Sequence, residues 1–566
     1  MTKFKDIEYK RPDFDAVIEE LNTQLDKLET AETAEDFFAT HEKVQEEVKD
    51  FMEMYTVAYI RNTIDTRDEF YDEEINLFYE NLPRLDEVNN RLQKIRLASP
   101  HREAFEDKYG TTVTAKDELQ KDIFKPEIME DRVQESKLAN EYQKLTGGAK
   151  IKFRGEEKNL AQMTPFTQSV DRNTRKEAFE ALNGWFADNK ETLDQLYDDL
   201  VKVRQRIAEK LGFDNYIPVA YKAMGRLDWD AEDAKRYRQQ IVDYVVPLTQ
   251  TYYKEQAERI GIEDFKYYDV PLKYLSGNPK PVGEEAELVE AASQMYSELS
   301  PETDDFFKMM RDQELMDLTT KEGKAPGGYM TWLSKSGVPF IFSNFNGTSG
   351  DVDVLTHEAG HAFNGYETKD IYPMELSEAA MEIMETHSMA MEFFTYPWMD
   401  HFFGEDTEKY YHSHVIDGLN FLPYGASIDE FQEFVYENPE ATPDERNAKY
   451  REIEKKYLPH IDYAGNEYLE SGARWQRQLH VYQLPFYYLD YTLAQVNAYQ
   501  YFIWDREDHN EAWNSYLNLC RLGGTYGTKK TLEEVGLDSP FEDGSIAKIT
   551  PKLEDYLNEL DYEKIK

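Results

Sequence analysis

Cysteine is almost absent: Cys520 is the only one in 566 residues. No intrachain disulfide can form, no oxidising compartment is implied, and the thiol in YLNLCRLGG reads as a small buried hydrophobe. Long apolar runs are missing as well. No stretch of about 18 apolar residues occurs, and the opening MTKFKDIEYKRPDFD has no apolar signal core, so the expectation is a soluble, cytoplasmic chain. Basic residues are outnumbered, 65 against 112 acidic ones, for a formal net charge of -47. Such a surface repels phosphate backbones and anionic headgroups, so neither a nucleic-acid nor a membrane partner is expected. Proline (22) and glycine (28) are modest while tyrosine (40) and phenylalanine (31) are abundant. That balance predicts a mainly α protein with aromatic packing rather than a sandwich of short strands.

Residues 13–142 carry one amphipathic helical pattern after another, as in FDAVIEELNTQLDKLET, and no catalytic constellation. A break follows at LTGGAKIKFRGEEKNLAQM, where Gly147, Gly148 and Gly155 punctuate two short segments able to pair as a hairpin. The chain therefore divides into an N-terminal helical region, 1–150, and a larger region, 151–566. In the larger region a helix restarts at DRNTRKEAFEAL behind Asp171, a cap residue. A second irregular stretch contains PFIFSNF, residues 339–345, the strongest strand pattern in the chain. An exposed edge there would pair with an extended peptide through backbone hydrogen bonds.

Directly after that strand comes GTSGDVDVLTHEAGHAF. Ser349, Asp351 and Asp353 sit at a helix start, and Val352, Leu355, Ala359, Ala362 and Phe363 give it a buried side. On this helix His357 and His361, four apart, project from one face and can hold a single zinc ion through imidazole nitrogens. Glu358 stands beside them. A carboxylate there can take a proton from water activated by the ion and later give it to a leaving amine.

A catalytic zinc needs a third protein ligand and an open fourth position. One candidate is Glu367, replacing the last histidine of an HExxHxxGxxH pattern, although Gly365 then stands one place late. The other is the segment MELSEAAMEIMETHSMAMEFF, where Glu378, Glu382, Glu385 and Glu392 recur at helical spacing among methionine and phenylalanine. A carboxylate buried on such a face needs a cation, and periodicity does not say which one meets it.

HEAGHAF followed 24 positions on by ExxSxxxE (Glu385, Ser388, Glu392) resembles the thimet oligopeptidase superfamily. DRNTRKEAFEAL behind GEEKNL looks like its oligoendopeptidase F and Pz-peptidase group, and the likeness runs from about residue 153 to 524. It implies a two-lobed helical metallopeptidase with a deep substrate channel and a small β element beside the HExxH helix. It also implies that Glu385 is the third zinc ligand. His387 then points elsewhere as a structural residue. For Glu392 the sequence permits two readings, a carboxylate that orients a ligand from behind or a plain solvent-facing one.

Peptide hydrolysis passes through a tetrahedral oxyanion, which needs hydrogen-bond donors besides the metal, and neutral tyrosines suit that role. QLHVYQLPFYYLDYTLAQ carries His480, Tyr482, Tyr487, Tyr488 and Tyr491. The family draws such donors from a segment of this kind, and the likeness selects His480, Tyr488 and Tyr491. Where the thimet branch has a further tyrosine upstream, this chain has Leu484 or Pro485. His412 and His414, two apart, diverge on a helix, and the remaining histidines are isolated.

Together these readings describe a cytoplasmic zinc endopeptidase, with one Zn2+ per chain, that hydrolyses internal bonds of short unfolded peptides. His357, His361 and Glu385 are the ligands, Glu358 the acid–base, and His480, Tyr488 and Tyr491 the donors. Two other readings predict different behaviour: a carboxypeptidase on a related helical HExxH fold, which needs a cation for the terminal carboxylate, and a non-catalytic helical interaction protein.

Overall fold

Apolar residues three and four apart become helix almost everywhere in the computed structural model, which describes residues 3–565. The first helices are α1 (Phe14–Glu29), α2 (Ala34–Ile64) and α3 (Glu69–Ala98). Each starts on a side-chain acceptor: Asp13 takes the Ala16 N–H, Thr33 that of Asp36, and Asp68 those of Phe70 and Tyr71. These caps satisfy donors that the first turn leaves unpaired. The apolar stripes meet in a shared core that includes Leu21, Leu25, Phe37, Phe51, Phe78 and Leu92.

Strands are few. β1 (Ile151–Phe153) and β2 (Glu156–Lys158) form the predicted antiparallel hairpin. Its two turn residues, Arg154 and Gly155, both have positive φ, 50° and 85°, as a tight hairpin turn of matching twist requires. A second sheet joins β3 (Met316–Thr319), β4 (Tyr329–Leu333) and β5 (Val338–Phe345) in the order β3-β5-β4, with β3 parallel and β4 antiparallel to β5. β5 is therefore the strand that PFIFSNF predicts, but its expected open edge does not exist. It is the central strand, paired on both sides, and the free edges belong to β3 and β4. The physical reason is burial: Phe340, Ile341 and Phe342 are all fully enclosed, and consecutive apolar residues buried on both faces mark an interior strand.

The chain divides into two compact units, each assembled from three segments. The first comprises Met1–Lys121, Lys280–Glu405 and Trp504–Leu537; the second comprises Asp122–Pro279, Asp406–Ile503 and Asp538–Lys566. The chain first leaves unit one at Lys121, ahead of the glycine-rich break near residue 150. Unit one holds α1 to α3, the three-stranded sheet, α4 (Gly350–Thr368) and α5 (Met381–Phe394). Unit two holds the hairpin, α6 (Thr407–Glu437) and most of α7 (Tyr488–Glu507). Among the described residues no helix is long and apolar enough to cross a membrane.

Candidate metal centre

The site begins with the turn that launches α4. Asp351 accepts the backbone N–H groups of Asn346 and Gly347, at 2.9 and 2.7 Å, and so ties the end of β5 to the first turn of the helix. Ser349 occupies the position before the helix but caps nothing with its side chain. Val352, Leu355, Ala359, Ala362 and Phe363 are buried without remainder, which fixes the roll of the helix and turns His357 and His361 to a common side.

α4 then meets α5 at unusually close range, and Gly360 is what permits it. A Cβ at Gly360 would lie 2.6 Å from the Ser388 Cα, 2.7 Å from the His387 carbonyl oxygen and 3.0 Å from the Met391 Cβ. Ordinary carbon contacts are about 3.5–4.0 Å, so no other residue fits at this crossing. Tyr516 on α8 (His509–Leu522) supports it from behind, its hydroxyl donating to that same His387 carbonyl at 2.7 Å.

The crossing delivers Glu385. Its Oε2 lies 3.4 Å from His357 Nε2 and 3.5 Å from His361 Nε2, and among the described residues these three form the one group able to hold a metal ion, with ligand atoms within 4.8 Å of one another. Tetrahedral zinc with bonds of about 2.0–2.1 Å sets neighbouring ligand atoms about 3.4 Å apart, so the spacing fits. The chemistry fits as well. His357 Nδ1 lies 2.7 Å from Glu392 Oε1; donating there, the neutral ring turns the lone pair of Nε2 toward the Glu385 carboxylate, a repulsive contact that a cation between them reverses. Burial works against a charged His357, yet the hydrogen bonds to Glu385 and Glu392 outweigh it and hold the imidazole well above its usual pKa. The pocket draws positive charge.

The other sequence candidates separate cleanly from this cluster. Glu367 pairs with Arg521 Nε at 2.7 Å. Glu378 lies ahead of α5 rather than on it, and Glu382 meets the Thr528 hydroxyl. His387 is buried outside the donor group, and His412 bonds the Tyr274 hydroxyl through Nδ1 at 2.8 Å. Glu358 is half-buried beside the ligands. Burial raises its carboxyl pKa against the pull of His357 and His361.

In the second unit the structure gathers His480, Tyr488 and Tyr491. The imidazole centroid is 5.0 Å from the Tyr488 ring and 5.8 Å from that of Tyr491. Tyr487 stands equally near, 5.7 Å from His480, whereas Tyr482 is buried and stacks on Tyr142. Burial carries the Tyr488 phenol well above its ordinary pKa, so it stays a protonated donor. The first turn of α7 is held by a buried ion pair, Arg226 to Asp490 at 2.7 Å, with the guanidinium over the rings of both Tyr221 and Trp229, 4.1 and 3.9 Å from their centroids. Just before it Phe486 adopts φ 68°. Such a backbone is costly for a phenyl-bearing residue and persists only where its surroundings enforce it. Here Arg226 donates to the Phe486 carbonyl at 2.8 Å and Gln432 accepts its N–H at 3.1 Å.

Comparisons with known proteins show which family the chain resembles. Residues 166–550 match the model of peptidase family M3, and residues 4–124 match the peptidase M3 N-terminal domain. The chain is 46% identical to Pz peptidase A, solved with an inhibitor, over the full length of both chains, with a TM-score of 0.93. It is 22% identical to an oligoendopeptidase F homolog of Lactococcus lactis subsp. lactis over 90% of this chain and 88% of that one. The oligoendopeptidase-F of Enterococcus faecium shares the fold at a TM-score of 0.63 and 15% identity, covering 98% of each chain.

Proposed function

The chain belongs to peptidase family M3, and from that membership we propose that it is a zinc-dependent endopeptidase cutting internal bonds of short, unfolded peptides in the cytoplasm. The observation that carries the metal assignment is the convergence of His357, His361 and Glu385 within 4.8 Å. The endopeptidase assignment draws on the relatives, among them an oligoendopeptidase F homolog. A zinc ion bound by these three residues would supply Lewis-acid activation of water and stabilise negative charge on the attacked carbonyl oxygen.

The chain's own groups do the rest. Glu358 takes the proton of the attacking water at its carboxylate and returns it to the leaving amine. Glu392 holds the tautomer and plane of His357, so that Nε2 presents a lone pair. His480, Tyr488 and Tyr491 are assigned as donors to substrate or oxyanion, a role in which preorganised hydrogen bonds are worth about 10²–10³ in rate each.

Glu358→Gln tests the reading. The amide accepts hydrogen bonds but no longer a proton, so the variant is expected to retain one zinc per chain while peptide cleavage falls about 10²–10⁴-fold. Parent turnover in that variant contradicts the assignment. A peptide blocked at both ends distinguishes an endopeptidase, which still cuts it, from a carboxypeptidase, which does not.

A further inference from the structure

Arg474 and Arg477 stand three residues apart on a single 3-10 turn, residues 473–477, a spacing at which side chains eclipse and leave on one side. Both line a cavity of about 190 Å³ that lies wholly within the second unit. Their charges are only partly met. Arg474 donates to Glu454 Oε1 at 3.2 Å and to the Tyr463 hydroxyl at 3.3 Å, but Arg451 takes the other Glu454 oxygen at 3.0 Å, together with Glu470 at 2.8 Å. Arg477 has no carboxylate. Its Nη2 meets the neutral Asn183 Oδ1, its guanidinium lies 5.0 Å from the Phe186 ring centroid, and its Nε is enclosed without a partner. Three guanidiniums thus share two carboxylates. The other acids nearby, Asp417 and Asp462, are exposed and taken by Lys273 and Lys266.

Positive charge held away from water and in excess of its partners calls for an anion. The phenol of Tyr424, on the cavity wall, registers that charge: burial pushes its pKa up, and both Arg474 and Arg477 pull it back. Much of the remaining lining is hydrocarbon and aromatic, with Phe179, Val270, Leu458 and Ile461 among it. Water alone would fill the volume with about six molecules, many of them facing surface that offers no hydrogen bond. A guanidinium fork matches a carboxylate through two parallel N–H···O bonds, and the hydrocarbon matches an apolar side chain. The lining therefore describes an amphiphilic ligand rather than a hydrated inorganic ion.

We propose that this cavity binds one apolar amino-acid residue bearing a free α-carboxylate, the carboxylate on Arg474 and Arg477 and the side chain against Phe179, Leu458 and Ile461. The site is built from the second unit alone and does not rest on the peptidase reading. It adjoins the tyrosine segment nonetheless. Arg474 lies 5.0 Å from the centroid of the Tyr424 ring, and that ring lies 5.9 Å from the ring of Tyr488, while the Tyr424 hydroxyl on α6 donates to Gln478 Oε1 at 3.1 Å. The bound residue is either the last one of a peptide lying along that segment or a separate small molecule of the same chemistry.

Calorimetric titration of the zinc-loaded protein with N-acetyl-leucine, at constant ionic strength, tests the proposal directly. One molecule per chain is expected to bind, at least about tenfold more tightly than N-acetyl-leucinamide, the worth of a charge-assisted hydrogen bond. Sodium acetate, which has the carboxylate without the side chain, should bind more weakly than either arm of the site would allow together. Arg477→Gln removes a cation that has no carboxylate partner, and it is expected to cost the acid at least about tenfold in affinity while leaving the amide unchanged. Ile461→Trp is the second variant: it fills the cavity without touching a charge and should abolish binding. No binding of N-acetyl-leucine, equal binding of acid and amide, or parent affinity in Arg477→Gln overturns the proposal. The two sources of the ligand separate in kinetics. A peptide ending in free leucine that has a lower KM than its amide, with the difference lost in Arg477→Gln, places the substrate's own terminus in the cavity; equal KM values alongside tight N-acetyl-leucine binding assign the cavity to a separate molecule.

Discussion

Replacing Gly360 by alanine adds one methyl group at the point where α4 and α5 touch. The new Cβ would meet the Ser388 Cα at 2.6 Å, the His387 carbonyl oxygen at 2.7 Å and the Met391 Cβ at 3.0 Å. Two of those three atoms are backbone, so no side-chain rotation relieves the clash. The helices must separate by about 1 Å to restore ordinary contact distances. Glu385 rides on α5 one turn before Ser388. The same separation would carry its Oε2 from 3.4 and 3.5 Å to about 4.5 Å from the two imidazole nitrogens, beyond the span that one zinc ion bridges. Overpacking of this kind costs about 1–3 kcal/mol in the folded chain, which in a protein of this size is a loss of a few degrees in melting temperature. The larger effect is expected on the metal. Gly360→Ala should bind zinc at least about 10–100-fold more weakly, as when a group that orients a ligand is lost. Competition with graded chelator followed by metal analysis measures the affinity, and a melt of the metal-free protein measures the packing cost. An alanine variant with parent zinc affinity would refute the claim that this glycine sets the position of Glu385.

Two other outcomes follow from the same geometry. Glu392→Ala removes the acceptor on His357 Nδ1 and is expected to lower zinc affinity about 10–100-fold, read by the same competition; an unchanged affinity contradicts the orienting role. Stability should fall on mild acidification. His41, buried against Arg96, Tyr372 and Glu375, and His412, buried against Tyr274 near Arg259 and Lys273, both have pKa values lowered to about 3, chiefly by burial. Between pH 6.5 and 3 the unfolded chain therefore binds protons that the folded chain refuses, so stability present above pH 6.5 is lost as pH falls. The slope is at most about 1.4 kcal/mol per histidine per pH unit. Melting temperatures between pH 6.5 and 5.5, above the range where carboxylates titrate, test it: a decline is expected, shallower in His412→Gln, and a flat profile contradicts the burial argument.

The parts of the site that local pattern determines were legible in the sequence. HEAGH on a buried helix gives the two histidines and the carboxylate of the proposed centre, and the twin motif ExxSxxxE, through family likeness, singles out Glu385 from four glutamates that periodicity treats alike; the structure brings Glu385 to both histidines. What periodicity cannot supply is the partner across space. PFIFSNF announces a strand, but β3 and β4 are short and weakly patterned, so nothing local shows that they flank it on both sides. Gly360 could have been read as mere helix tolerance, because a glycine at a crossing looks the same in one dimension as a glycine facing solvent. The holders of the tyrosine segment are more distant still. Arg226 lies 264 positions from Asp490, and Tyr424 lies 54 from Gln478, so no spacing rule connects them. Each unit is assembled from three separate stretches, a division that one break near residue 150 does not reveal.

The central claim is that His357, His361 and Glu385 close on one metal ion. Anomalous diffraction from crystals of the zinc-loaded protein, recorded above and below the zinc absorption edge, tests it most directly. One peak lying about 2 Å from His357 Nε2, His361 Nε2 and a Glu385 carboxylate oxygen is the result expected. A peak elsewhere, or a zinc ion held by the two histidines with Glu385 turned away, would contradict it.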